Sequence, residues 1–220
     1  KHPSLSRMYT ARHNAAGRLI AKAISKGRLG NGLISLDVGS DTHLAETGID
    51  TSATNRHLPD WLARHLHSTS RPDAVLIHAG DDYCTTAPKD IAHFDGYYAD
   101  LVEIKYCQDT NHSPCLSRAR TQHTALAAAL QSLQFKYVTV TPILLGMGGT
   151  IYNTYTWQSL TGLGLSHEAA TKTCTKLNRL TAQWAYKIIS TRRQLEPQSQ
   201  QGTTRRGGGR GPGPPAHAPG

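Results

Sequence analysis

The segment 100–106 constrains the fold most, because polar and apolar side chains alternate along it. Successive side chains on a β-strand point to opposite faces of the sheet. As a strand, the segment would present Glu103 and Lys105 on one face, together with Leu101. The other face would carry only apolar or aromatic side chains, namely Val102, Ile104 and Tyr106. The pattern predicts a strand that is buried on one side and holds a carboxylate beside an ammonium group on the other.

A second strand is predicted over residues 74–78, directly after Pro72 and Asp73. Proline is tolerated at the first position of a strand, where no ladder N–H group is needed. Asp73 would then lie at the start of this strand. If the two strands pair, the carboxylates of Asp73 and Glu103 converge, and they repel unless a cation neutralises them or one takes up a proton.

Magnesium, or manganese in its place, suits two such carboxylates because it takes hard oxygen ligands and keeps waters and substrate phosphate in its remaining positions. Asp73 and Glu103 are the predicted metal ligands, and Asp37, at the end of an earlier predicted strand, is a candidate third ligand. A metal-bound water can attack a phosphodiester. Lys105 would position that water or offset phosphate charge. The alternative interpretation is a strand with an ordinary exposed polar face.

Several short motifs, taken in order over about residues 12–196, resemble those of a known nuclease family. They are Arg12-His13-Asn14, Arg71-Pro72-Asp73, Glu103-Ile104-Lys105 with residues 106–110, Gln122-His123, and Leu145-Gly146-Met147-Gly148-Gly149-Thr150-Ile151. The chain is similar to the PD-(D/E)xK superfamily. Within it, the chain resembles the restriction-like endonuclease domain at the end of some non-LTR retrotransposon polyproteins.

The resemblance implies a metal-dependent DNA endonuclease with Asp73, Glu103 and Lys105 as catalytic residues. It also implies that nicking of target DNA primes reverse transcription in the nucleus. The implied partners are a reverse transcriptase upstream in the same polyprotein and, as a further partner, element RNA. The expected fold is an α/β, mixed-sheet core of order αβββαβ. The patterns that fit this order predict helices over 11–26 and 115–133, strands over 33–38, 74–78, 100–106 and 136–144, and an added long helix over 167–195.

The chain departs from the family pattern in three respects. No cysteine precedes Cys84, although a Cys/His zinc knuckle usually comes before this domain, so we expect a fragment cut just after or inside that knuckle. Arg118 and Arg120 stand where the family often has a lysine. Leu126 follows Gln122 by four positions, so the Gln-x-x-x-Tyr pattern of exonuclease-type relatives is absent and exonuclease activity is not expected.

The formal charge of +9 favours a polyanionic partner, most simply DNA. The candidate nucleic-acid contacts are Arg12, His13, Arg71, Arg118, Gln122, Lys172, Lys176, Arg179 and Lys187. The last four lie on one face of the predicted C-terminal helix, where Lys and Arg would give salt-dependent affinity for a DNA backbone. An ordinary solvated face is an equal alternative, and a structural role is the alternative for His13.

Cysteine usage argues against a disulfide-stabilised protein, and hydropathy argues against a membrane-spanning one. The four cysteines form no CxxC pair, which argues against a disulfide framework and fits an intracellular compartment. No apolar run is long enough for a membrane span. Cys107, His112 and Cys115 have ligand-like spacing, but no fourth zinc ligand is evident. The Gly146-Met147-Gly148-Gly149 loop is expected to be a plain turn rather than a phosphate cradle.

Two regions are predicted: an endonuclease domain over 1–196 and a disordered Gly/Pro/Arg-rich tail over 197–220, which cannot bury apolar surface. Two other functions stay open for the domain. One is a catalytically inactive DNA-binding remnant of the same fold, and the other is a structure-specific nuclease that resembles Holliday-junction resolvases.

Overall fold

The computed structural model describes residues 2–36, 58–66, 71–80, 82 and 86–200, the last five by their backbone only. Within these ranges the chain forms a mixed α/β fold with a four-stranded mixed sheet and a long C-terminal helix. The helices are α1 Pro3–Ile24, α2 Asp60–Ala63, α3 Ser113–Gln122, α4 Thr124–Ser132, α5 Gln158–Gly162 and α6 His167–Gln200. The strands are β1 Leu33–Ser35, β2 Ala74–His78, β3 Tyr98–Cys107 and β4 Tyr137–Gly146.

The four strands lie in the order β1-β2-β3-β4. Strand β2 is antiparallel to both β1 and β3, and Ala74 is paired with Val102. Strands β3 and β4 are parallel over their whole length. Their connection runs through α3 and α4, as a parallel pair requires a long crossover. The predicted mixed sheet and long C-terminal helix are confirmed within the described residues.

The two faces of the sheet support separate cores. One core packs α1, α5 and α6 against a sheet face that includes Val102 and Ile104. The other packs α2 and α4 against the face that includes Leu101. The predicted alternation along β3 is therefore confirmed, and Glu103 shares the face of Leu101.

Helix α1 begins earlier than the sequence analysis predicted. It starts at Pro3, and the His2 side chain caps it by accepting a hydrogen bond from the Ser4 N–H at 3.4 Å. Proline suits the first helical position because its missing N–H would have no intrahelical partner there. Thr10, which precedes the predicted helix start at residue 11, lies inside the helix and donates to the Ser6 carbonyl at 3.3 Å. Arg12, His13 and Asn14 consequently lie in mid-helix and do not open it.

The predicted helix over 115–133 was wrong as a single element. It is divided into α3 and α4 at His123, whose backbone leaves the helical region. The His123 side chain is fully buried. The break therefore lies at a buried polar residue.

Some predictions fall outside the described residues. Asp37 and residues 39–57 lie there, and so do residues 201–220 of the predicted tail. Helix α6 continues to Gln200, beyond the predicted helix end at residue 195. In the part of the chain that is described, no helix is both long and apolar enough to cross a membrane.

Candidate active site

The candidate site lies where β2 begins beside the middle of β3. The Asp73 N–H donates to the Val102 carbonyl at 3.0 Å, which extends the antiparallel ladder by one residue beyond Ala74. Asp73 is thereby placed beside Glu103, and both residues are 4% exposed. The sequence analysis made this convergence conditional on pairing of the two strands, and β2 and β3 do pair, so the two residues lie side by side.

Asp73 is held by contacts from α1 and β3. Its Oδ2 accepts a hydrogen bond from the Ile104 N–H at 2.6 Å, and its Oδ1 lies 3.5 Å from the Nε2 of His13. Burial raises the pKa of Asp73 to about 6, and the negative charge of Glu103 contributes to the rise, whereas His13 opposes it. The buried carboxylate is therefore poorly compensated and would gain from a nearby positive charge.

Glu103 has a partner at each carboxylate oxygen. Its Oε1 forms an ion pair with the Nζ of Lys105, and its Oε2 lies 2.7 Å from the Nε2 of His123. Burial tends to raise the pKa of Glu103, but hydrogen bonds from His123 and Lys105 outweigh it and hold the pKa below its ordinary value. Glu103 is therefore kept ionised beside an aspartate that is not fully stabilised in its charged form.

Lys105 connects the strand to the end of α3. Its Nζ donates to the Oε1 of Gln122 at 2.8 Å in addition to its ion pair with Glu103. Two acceptors thus hold the ammonium group on the site side of β3, with 22% of the side chain exposed. Gln122, a predicted nucleic-acid contact, lies in the site as the residue that orients Lys105.

His13 reaches the site from α1. Its Nε2 lies 3.1 Å from the carbonyl oxygen of Ile104, close enough to donate a hydrogen bond, and 3.5 Å from Asp73. The imidazole therefore bridges the backbone of β3 and a carboxylate at the site. The predicted involvement of His13 and the structural alternative are both compatible with this position.

His123 is the residue of this site to which sequence analysis assigned no role. It interrupts a spacing of buried apolar positions, Ala119, Leu126 and Leu130, that would otherwise mark one face of a helix. A histidine on such a stripe is a signal for a buried polar contact, because a buried polar side chain needs a hydrogen-bond partner. Its partner is Glu103, on the neighbouring strand.

Three of the remaining predicted nucleic-acid contacts are the arginines Arg12, Arg71 and Arg118. Arg12 is 5% exposed and its guanidinium lies 3.8 Å from the centroid of the Tyr106 ring, so this position does not support the predicted DNA contact. Arg71 donates to the Leu36 carbonyl at 2.5 Å, which ties the start of β2 to the end of β1. Arg118 is exposed on α3.

The basic residues of α6 are exposed, as predicted: Lys172, Lys176, Arg179 and Lys187. The helix packs with α1 on the sheet face opposite Glu103. Lys172 forms an i,i+4 ion pair with Glu168 at 2.5 Å. The structure therefore does not bring these four residues together with the carboxylates.

Asp109 occupies the backbone donors of the glycine-rich loop. Its carboxylate accepts hydrogen bonds from the N–H groups of Gly148 at 2.9 Å and Thr150 at 3.2 Å. The slight burial of Asp109 acts to raise its pKa, but these bonds outweigh it and the pKa is lowered. The loop is the plain turn that was expected, closed by a side chain of this chain.

Across residues 2–36, 58–66, 71–80, 82 and 86–200, no group of three or more His, Cys, Asp or Glu side chains is arranged to hold a metal ion. This includes the Cys107, His112 and Cys115 combination. At the candidate site, Asp73 and Glu103 provide two carboxylates, and the predicted third ligand, Asp37, is outside the described residues.

Comparison with protein-family models, with curated proteins and with solved structures found no match to this chain.

Proposed function

We propose that this chain is a divalent-metal-dependent DNA endonuclease with a PD-(D/E)xK core. The observation that carries the proposal is the convergence of Asp73 and Glu103 on paired strands, with Lys105 held on the Glu103 side of β3. Two carboxylates and a lysine in a short stretch of sheet are what hydrolysis of a phosphodiester needs: ligands for a cation and a positive charge for the phosphate.

The donor set fits magnesium or manganese. Both carboxylates offer hard oxygen ligands, and the raised pKa of Asp73 reports a buried negative charge that lacks compensation. Asp73 and Glu103 would hold the ion, with Asp37 as a further ligand. When bound, the ion activates water and stabilises the charge that develops on the phosphate.

The protein's own residues prepare the site for that chemistry. His123 holds Oε2 of Glu103, so this carboxylate stays ionised and oriented. Gln122 and Glu103 hold the ammonium of Lys105, which can offset negative charge on a phosphate or orient a water beside it. His13 hydrogen-bonds the Ile104 carbonyl and approaches Asp73, and so limits the movement of α1 relative to β3.

The biological setting rests on the resemblance of the motifs. A nuclease of this kind would nick target DNA so that a reverse transcriptase in the same polyprotein could copy element RNA from the exposed end. The partners would then be DNA, element RNA and that reverse transcriptase, and the action nuclear. The intact set of contacts around Glu103 favours an active enzyme over a decayed, DNA-binding remnant.

The test is nicking of supercoiled plasmid in Mg²⁺ or Mn²⁺, with EDTA as the metal-free control. Glu103→Gln and Lys105→Met should abolish nicking while circular dichroism shows a retained fold. Asp90→Asn and Lys89→Met, at exposed positions on the same connection between β2 and β3, are matched controls that should keep activity. Nicking that survives in Glu103→Gln and Lys105→Met would refute the proposed site. Four-way junctions and linear duplex, compared in the same assay, test the resolvase-like alternative.

A further inference from the structure

A row of aromatic rings crosses the end of the sheet away from Asp73 and Glu103. It consists of His78, which ends β2, Tyr98, which begins β3, and Tyr137, which begins β4. His78 is paired with Tyr98, and Tyr98 with Tyr137, in the strand register. Register partners project from the same face of a sheet. The three rings therefore stand side by side on one face.

The rings of His78 and Tyr98 are stacked, and the ring of Tyr137 is tilted against that of Tyr98. The centroids of His78 and Tyr98 are 5.3 Å apart with 12° between the ring planes. Those of Tyr98 and Tyr137 are 5.6 Å apart with 30° between the planes. These separations are close to the spacing of about 4.7–4.9 Å between neighbouring strands. The Tyr98 ring therefore lies between the ring of His78 on one neighbouring strand and the ring of Tyr137 on the other.

The stack ends at a sheet edge. Strand β4 is the last strand in the sheet order, so no further strand of the described sheet lies beyond Tyr137. Tyr137 is 61% exposed, whereas most large apolar side chains of the sheet are buried. Cross-strand stabilisation accounts for the two inner contacts of the ladder, but it gives no reason for a large aromatic ring whose outer side faces solvent.

The inner part of the stack is held rigidly. The His78 ring is fixed at both nitrogens, by the Oδ2 of Asp100 at 3.0 Å and by the Gly80 carbonyl at 2.6 Å. The other carboxylate oxygen of Asp100 accepts a hydrogen bond from the Thr141 hydroxyl at 2.9 Å. Asp100 is thereby committed to internal contacts. A preorganised surface loses little conformational entropy when a ligand binds to it.

A positive charge accompanies the rings. The ammonium group of Lys136, the residue before Tyr137, is exposed and lies 5.3 Å from the centroid of the Tyr98 ring. Aromatic faces beside cations are the combination that binds single-stranded nucleic acids: bases stack on the rings, and Lys or Arg contacts the backbone. The surface thus combines an open stacking face with a charge suited to phosphate.

We propose that this surface, formed by His78, Tyr98, Lys136 and Tyr137, binds unpaired nucleotides of a single strand. A base extends the stack on the outer face of Tyr137, and Lys136 contacts the adjoining phosphate. The choice of nucleic acid as ligand rests on the proposed function. Along β3, Tyr98 is five residues from Glu103, about 17 Å at the rise of an extended strand. Tyr98 shares the sheet face of Val102, opposite that of Glu103, so the proposed surface is separate from the candidate active site.

The experiment measures binding to fluorescein-labelled oligodeoxythymidine, oligouridine and a duplex of the same length by anisotropy, in EDTA. Tyr137→Ala should weaken binding of at least one single strand about tenfold, within the range for the loss of one base–aromatic stack, and leave duplex affinity unchanged. Tyr137→Phe, which keeps the ring, should bind like the parent. Tyr186→Ala is the matched control, since Tyr186 is a 75% exposed tyrosine on α6.

Parent and Tyr137→Ala proteins of equal affinity for both single strands would overturn the proposal, as would absence of single-strand binding by the parent. A loss shared equally with Tyr186→Ala would overturn it as well. Circular dichroism of each variant excludes unfolding as the cause. EDTA prevents metal-dependent cleavage, so the binding assay is independent of the plasmid nicking assay in Mg²⁺ or Mn²⁺. Binding that depends on Tyr137, with no nicking in the plasmid assay, would refute the proposed function alone. Nicking in the plasmid assay without such binding would refute this inference alone.

Discussion

Replacing Asp73 with asparagine should make the protein more stable at alkaline pH, although it removes a group proposed to be catalytic. Burial raises the pKa of Asp73 to about 6, from an ordinary value of 3.8. Each pKa unit corresponds to about 1.36 kcal/mol. At pH 8 the ionised carboxylate therefore lowers the free energy of unfolding by about 3 kcal/mol relative to an isosteric neutral group. Asparagine can still accept the hydrogen bond from the Ile104 N–H.

The pH dependence has a definite sign. A group whose pKa is raised by folding contributes stability below its unfolded pKa and loses that contribution as the pH rises through the folded value. The advantage of Asp73→Asn should therefore be about 3 kcal/mol at pH 8, roughly half of that at pH 5, and close to zero below pH 3. It is measured by urea unfolding in EDTA, followed by tryptophan fluorescence.

The exposed Asp90→Asn variant is the control, and its free energy of unfolding should match the parent at both pH 5 and pH 8. An Asp73→Asn protein that is no more stable than the parent at pH 8, or whose advantage does not decline towards pH 5, would refute the argument that Asp73 is an uncompensated buried charge. A variant that gains stability and loses activity shows the trade-off between stability and activity that is common at active sites.

Two further variants test other contacts of the structure. His123→Ala removes a hydrogen bond to Glu103, so the pKa of Glu103 should rise. The acid limb of the pH profile of nicking should then move to higher pH. An acid limb that stays in place would contradict the role given to His123. Asp109→Ala leaves the N–H groups of Gly148 and Thr150 without their acceptor, so urea unfolding should show a free energy lower by about 1 kcal/mol. Asp109→Asn should lose less, and equal stability of all three proteins would show that the loop does not depend on this side chain.

The strands that carry Asp73 and Glu103, and the faces on which their side chains lie, were predictable because they depend on local patterns, whereas the pairing of the two strands was assumed. Alternation along 100–106 assigns each side chain to a face without knowledge of the rest of the molecule. Proline before β2 marks the start of that strand in the same way. A proline in the first turn also marks the true start of α1 at Pro3. The prediction placed the start at residue 11 because it followed the apolar residues from position 16 onward and not this proline.

The roles of His123 and Arg12 were not predictable because they depend on contacts between elements distant in sequence. His123 becomes a partner of Glu103 only when the crossover helices pack on β3, and the break between α3 and α4 falls at the same residue. Arg12 is charged and adjacent to His13, which suggested a surface contact, yet it is buried against Tyr106. Successive residues of a helix project about 100° apart, so neighbours in sequence reach different surroundings.

The most direct test of the proposed site is the single-turnover nicking rate of supercoiled plasmid as Mn²⁺ or Mg²⁺ concentration is raised, for the parent and for the double variant Asp73→Asn/Glu103→Gln. The parent should be inactive in EDTA and its rate should rise to saturation with metal. The double variant should stay at the EDTA level at every concentration, while the Asp90→Asn control follows the parent. Metal-dependent nicking by the double variant at the parental rate would contradict the assignment of these two carboxylates to the active site.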